Sequence, residues 1–181
     1  MMDEVLRFWF DEHDREAWFK KEPAFDQDIR NRFRHAYDAA AGGELMHWKA
    51  TPRGALALIV LLDQFPRNMF RQSPKAYATD PIARAVARHA FDQGYDRAAG
   101  MTQDHCLILY LPFEHSEDLE DQRFFTRLIV ALTDDEMPNF YARRHLEVIE
   151  RFGRFPHRNA VLRRTSSTEE LAFLEEPHSS F

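Results

Sequence analysis

A single cysteine, Cys106, stands among 181 residues. That excludes an internal disulfide and a paired-cysteine zinc site, and it makes a reducing compartment, the cytoplasm, the expected setting. Long apolar runs are missing too. The longest, Ala55 to Leu62, falls far short of the roughly 20 residues a membrane span needs. The start, Met1-Met2-Asp3-Glu4, lacks the basic opening of a signal peptide, so no membrane partner is expected. Positive charge is in deficit, with a net charge of −6, which argues against nucleic acid as a general partner. No glycine-rich phosphate loop occurs, so no nucleotide cofactor is expected and the cofactor expectation is none. Nine histidines show no His-Glu-x-x-His spacing, so they give no metal motif.

What is present is core material. Sixteen Phe, five Tyr and three Trp, within 44% apolar and 30% charged residues, describe a folded chain with enough length for one domain over residues 1–181. The charge is unevenly placed. Arg143 to Arg164 holds seven arginines against two glutamates, and Glu117 to Glu136 holds seven acids against two arginines. Two such segments are expected to face each other or the solvent.

Helical periodicity runs throughout, without strand-type alternation, so an all-α fold of about eight helices is predicted. Val5, Leu6, Trp9 and Phe10 form one stripe on a first helix that Asp3 is placed to cap. Pro23 opens a second helix, with Phe25, Ile29, Phe33, Ala36, Tyr37 and Ala40 inward and Gly42-Gly43 at its end. Thr51-Pro52 starts a helix that is apolar nearly all round from Gly54 to Gln64, the mark of a buried central element. Thr79 and Ser116 read as caps of later helices, Met137 as an inward residue of the following one, and Ser167-Thr168-Glu169-Glu170 as a capping box. Trp9, Trp18 and Trp48 are expected in the core.

Two stretches ninety positions apart match: Phe65-Pro66-Arg67-Asn68 and Phe155-Pro156-His157-Arg158-Asn159. Each follows an apolar run, so both read as helix exits, and a repeated helix unit is one explanation. These strings, with Leu111-Pro112-Phe113-Glu114-His115-Ser116-Glu117-Asp118, Phe8-Trp9-Phe10 and Thr51-Pro52-Arg53-Gly54, resemble those of a bacterial family known as domain of unknown function 924. The resemblance covers essentially the whole chain. It implies a tetratricopeptide-like array of antiparallel helix hairpins around one core, and it implies no activity.

Two functional readings follow. In the first, Arg67, Asn68, Arg154, His157, Arg158 and Asn159 converge as a polar cleft for a small anionic molecule or an acidic peptide end, because a guanidinium fork suits carboxylate or phosphate. The alternative use of the same residues is to tie off the free carbonyls at helix ends. In the second reading, His115 acts as the base of a hydrolase-type enzyme beside Glu117, while the arginines hold an anionic substrate. A structural use competes here as well: acids after Ser116 suit the first turn of a helix.

Overall fold

A computed structural model describes Met1 to Ser180. It is all-helical, with no strand among the described residues. The helices are α1 (Met2–Phe10), α2 (Arg15–Phe19), α3 (Pro23–Ala41), α4 (Pro52–Ile59), α5 (Phe65–Met69), α6 (Asp80–Asp92), α7 (Gln103–Glu114), α8 (Leu119–Leu132), α9 (Glu136–Phe152) and α10 (Thr168–Leu174). No helix among the described residues is long and apolar enough to cross a membrane. Backbone contacts divide the chain into two compact units. The first is Met1–Arg71 with Lys75–Pro112, and the second is Gln72–Pro74 with Phe113–Phe181.

The first unit is built around α4 and its continuation. Every residue from Ala55 to Leu62 is at most 1% exposed, as a helix apolar on all sides must be. Phe8 and Trp9 of α1, Phe33 of α3 and Phe65 of α5 pack ring on ring against one another, with centroids 4.9 to 5.9 Å apart. Such geometry adds to the burial energy of the rings. Trp9, Trp18 and Trp48 are all buried. Gly54 has a steric reason: a Cβ there would lie 2.0 Å from the Trp48 carbonyl oxygen, so only glycine admits the close approach of the Met46–Ala50 3-10 turn to α4.

The helix starting at Pro52 does not exit at Phe65. It passes through a π turn, Val60–Gln64, and runs on as α5 to Met69. Pro66 explains the turn. It has no N–H for the Leu62 carbonyl four residues back, and the Phe65 N–H reaches instead to Val60, five back. The Leu62 carbonyl accepts the Thr79 hydroxyl at 2.6 Å, so Thr79 serves this helix and makes no side-chain cap for α6. The two Phe-Pro stretches therefore differ in conformation. In the second, Gly153 ends α9 at φ 66° and Pro156–Arg158 forms a separate 3-10 turn.

In the second unit α8 and α9 pair across the short link 133–135, and Val148, Ile149, Phe155 and Phe173 form a buried cluster. The capping box at Ser167 and Glu170 is present. Three expected local roles are corrected. Asp118, not Ser116, caps α8, taking the N–H groups of Glu120 and Asp121, while the Ser116 hydroxyl accepts from the Asp118 N–H. Asp3 lies inside the first turn of α1, whose N-cap is Met1 without a side-chain bond. Met137 is 60% exposed, because the buried line of α9 runs through Ala142, His145, Val148 and Ile149.

Candidate functional site

Polar chemistry gathers in three places, two in the first unit and one in the second. The first surrounds the π turn. Arg67 forks onto both carboxylate oxygens of Asp80 at 2.9 and 3.0 Å, bonds the Asp63 carbonyl at 2.6 Å and lies 3.3 Å from the Asp63 carboxylate. Burial works against the guanidinium charge, but Asp63 and Asp80 outweigh it and raise its pKa. Asn68 donates to Asp26 at 2.8 Å, and Arg71 clasps the same carboxylate. Through Asp26 these two side chains fasten α5 to α3.

The second gathering is the turn after α9. Arg154 forks onto Glu170 at 2.6 and 2.8 Å and bonds the Thr165 carbonyl. These bonds, with the Ser167 N–H, hold the Glu170 carboxyl down at about 2. Arg158, 6% exposed, donates to the His115 carbonyl at 2.9 Å and lies 4.4 Å over the Phe155 ring. Asn159 donates to the Ser166 hydroxyl, and the His157 ring lies 5.7 Å from that of Phe155. The residues of the second Phe-Pro stretch are thus brought together in one turn. Arg67 and Asn68 belong to the first unit and are held within it.

His115 and Glu117 follow α7 on the same side of this turn. Glu117 accepts the Phe155 N–H at 2.8 Å and both arms of Arg164 at 2.7 and 2.9 Å. Burial raises its pKa, yet these bonds more than compensate and leave it lowered. The carboxylate is occupied in joining the 115–118 link to the turn. His145 of α9 is buried and its pKa lies well below the ordinary histidine range, first through desolvation and then through the charges of His115, Arg158 and His157. Its Nδ1 lies 2.8 Å from the Tyr141 carbonyl, which makes that nitrogen the donor of the neutral ring. Gln122 ties the link from the other side, donating to the Phe113, Glu114 and Ser116 carbonyls. Sequence reasoning missed Gln122, Arg164, His145 and the partnership of Glu170 with Arg154. Only the capping box hinted at Glu170.

The third gathering is an open cleft of about 530 Å3 in the first unit. One face of α1 forms its long wall, with Leu6 and Phe10 supplying hydrocarbon and Asp3, Arg7 and Asp11 the rim. Facing it are Thr51, Pro52, Arg53 and Leu56 at the start of α4, and Gly100, Met101 and His105 at the start of α7. Arg53 touches Asp3 by a single contact of 3.0 Å, with 63% of its own side chain and 83% of that of Asp3 exposed. His105 packs edge-on to Phe10 at 4.5 Å, and burial lowers its pKa. Its Nδ1 accepts the Thr102 N–H, so the ring closes the start of α7. No group of three or more His, Cys, Asp or Glu among the described residues is placed to hold a metal ion.

The architecture and this cleft define an all-helical protein with an open concavity and tightly paired, half-buried ions. The chain belongs to the bacterial family of proteins of unknown function, DUF924, whose family model matches residues 5–178. It is similar to the solved structure of ATU0120, a protein of unknown function from Agrobacterium tumefaciens, with 41% identity over 97% of each chain and a TM-score of 0.91. Comparison with curated proteins finds no match.

Proposed function

We propose that the protein binds a small carboxylate-bearing molecule, a small anion or a peptide end with an apolar body, and that the cleft along α1 receives it. One observation carries the reading: a concavity of about 530 Å3 whose mixed lining includes Phe10, Met101 and a loosely held guanidinium, Arg53. Concave sites of this size are where small ligands are usually held, and this one sets Asp3, Arg7, Asp11, Arg53 and His105 around its hydrocarbon. The dipole of α4 adds to the attraction, because α4 starts at the Arg53 end with no acid in its first turn.

The arginines near the Phe-Pro stretches are less available. Arg67, Arg154 and Arg164 are each forked onto a carboxylate, and an incoming anion would have to displace a partner already bonded in the same geometry. We assign Arg67, Asn68, Arg154, His157, Arg158 and Asn159 to holding the fold. No observation favours the hydrolase reading of His115, whose neighbour Glu117 is bound by Arg164 and the Phe155 N–H.

Thermal shift with millimolar hexanoate, hexanol and inorganic phosphate tests the proposal. Hexanoate is expected to raise the melting temperature of the parent and not of Arg53→Ala, since binding to the native state stabilises it by mass action. An equal shift in both proteins, or none in either, would sink it.

A further inference from the structure

The cleft has two unlike ends, and the helix that walls it makes them so. Met2, Asp3, Leu6, Arg7, Phe10 and Asp11 all line it, a spacing that lays one face of α1 along its length. Asp3 and Asp11 are eight residues apart, or about 12 Å along the axis. At the Asp3 end stand Arg53 and the start of α4, where the helix dipole is positive and no acid lies in the first turn. At the other end stand Asp11 and the carboxyl terminus of α1, where the dipole is negative. The groups beside Asp11 form no ion pair with it, although the His105 ring is close enough to feel its charge. Arg7 turns to Glu12 at 3.2 Å, His105 packs on Phe10 with its Nδ1 taking the Thr102 N–H, and no ion pair joins the Asp11 carboxylate among the described residues. Between the ends lie Leu6, Phe10, Leu56 and Met101.

Resting on the binding reading above, we infer that the natural ligand is dipolar. It carries a carboxylate at the Arg53 end, an ammonium at Asp11 and an apolar middle, with charges about 12 Å apart by the rise of α1. That is the chemistry of a short peptide with both termini free. An extended chain advances roughly 3.4 Å per residue, so about three residues span the two ends. A simple anion would leave Asp11 as a repulsive charge within reach of the site. A dipolar one meets Arg53 and the start of α4 at one end and Asp11 with the carboxyl terminus of α1 at the other, and the apolar lining takes one or two apolar side chains.

The test is isothermal titration of the whole protein with the tripeptide Ala-Leu-Ala in four forms: free, N-acetylated, C-amidated and capped at both ends. The free peptide is expected to bind best, and each cap to weaken it about threefold, the size of one solvent-facing charge pair. Asp11→Asn should weaken the free peptide by the same factor and leave the N-acetylated peptide unchanged. Arg53→Ala should do so for the free peptide and spare the C-amidated one. The inference falls if N-acetylation costs nothing, or if Asp11→Asn weakens the free and acetylated peptides alike. If no peptide binds while hexanoate still stabilises the parent through Arg53, the dipolar ligand is wrong and the binding cleft stands. If hexanoate is silent as well, both fall.

Discussion

The two units hold themselves together by different means. In the first, the chain from Ala55 to Leu62 is enclosed in hydrocarbon and four aromatic side chains close over it. Ion pairs such as Arg71 with Asp26 are present there too, but Asp26 lies on α3, whose inward face is already buried. The second unit has a smaller apolar cluster around Val148 and Phe155. Its turns are fastened to it by Arg154 with Glu170, Arg164 with Glu117, and Arg158 on the His115 carbonyl. The comparison bears on function, because an arginine near a conspicuous motif is a binding group only if its charge is not already spent inside the protein.

Removing packing from the first unit should cost most. Phe65 is fully buried amid Phe8, Trp9 and Phe33, so Phe65→Ala is expected to lower stability by about 3–5 kcal/mol in denaturant unfolding. A loss under about 1 kcal/mol would show that the aromatic cluster is not what holds this unit.

The next effect is smaller and specific to one hydroxyl. Thr79→Val keeps the shape but leaves the Leu62 carbonyl, already denied a partner by Pro66, without its 2.6 Å bond, and Tyr37 without its bond to the same hydroxyl. A buried acceptor left unpaired costs about 1–3 kcal/mol. Thr79→Ser, which keeps the hydroxyl, should recover most of that loss. If serine and valine behave alike, the Thr79 hydroxyl contributes nothing through either bond.

How far these features could be read in the sequence depends on their range. α3 was legible almost residue by residue, since Pro23, the inward steps from Phe25 to Ala40 and the closing Gly42-Gly43 are all local signals. The Ser167 capping box was legible for the same reason. The π turn was not, because apolar periodicity cannot distinguish a four-residue from a five-residue reach when every side is buried. Ser116 and Asp118 are both good caps at nearly the same position; in the fold Asp118 takes the free N–H groups while Glu117, between them, turns to Arg164, 47 residues away. The residues proposed to form the polar site were legible as types, but their partners Asp80, Glu170 and His115 come from distant parts of the chain or from its backbone. The cleft left no local trace, since α1, the start of α4 and the start of α7 meet there only in the fold.

Acid should separate the units. The Glu170 carboxyl, ordinarily near 4.5, titrates at about 2 in the folded protein. A lowered carboxylate pKa stabilises the native state above its unfolded value, so this contribution is complete above about 4.5 and disappears as the pH falls toward 2. His145 adds to the same trend from higher pH. Its folded pKa is depressed, so below its ordinary value of 6.5 the unfolded chain takes up a proton that the folded chain refuses, and stability falls with pH. Hydrogen exchange between pH 7 and 3 is expected to show α9 and α10 losing protection before α4 does. Glu170→Gln should flatten the lower part of that curve. Equal loss in both units, unaltered by Glu170→Gln, would contradict the idea that the second is the more electrostatically fastened.

The smallest effect on stability belongs to the residue with the largest proposed role in binding. Arg53 makes one exposed contact with Asp3, and such surface pairs contribute about 0–1 kcal/mol. Arg53→Ala should therefore unfold within about 1 kcal/mol of the parent while losing the hexanoate response. Arg154→Ala is the control from the other side of the comparison, because its guanidinium is bound by Glu170 and the Thr165 carbonyl. It should destabilise the second unit and leave the hexanoate response in place. If instead Arg154→Ala removes the response and Arg53→Ala does not, the anion is held at the turn after α9, the half-buried ion pairs there open to receive it, and the division between structural and binding arginines is drawn the wrong way round.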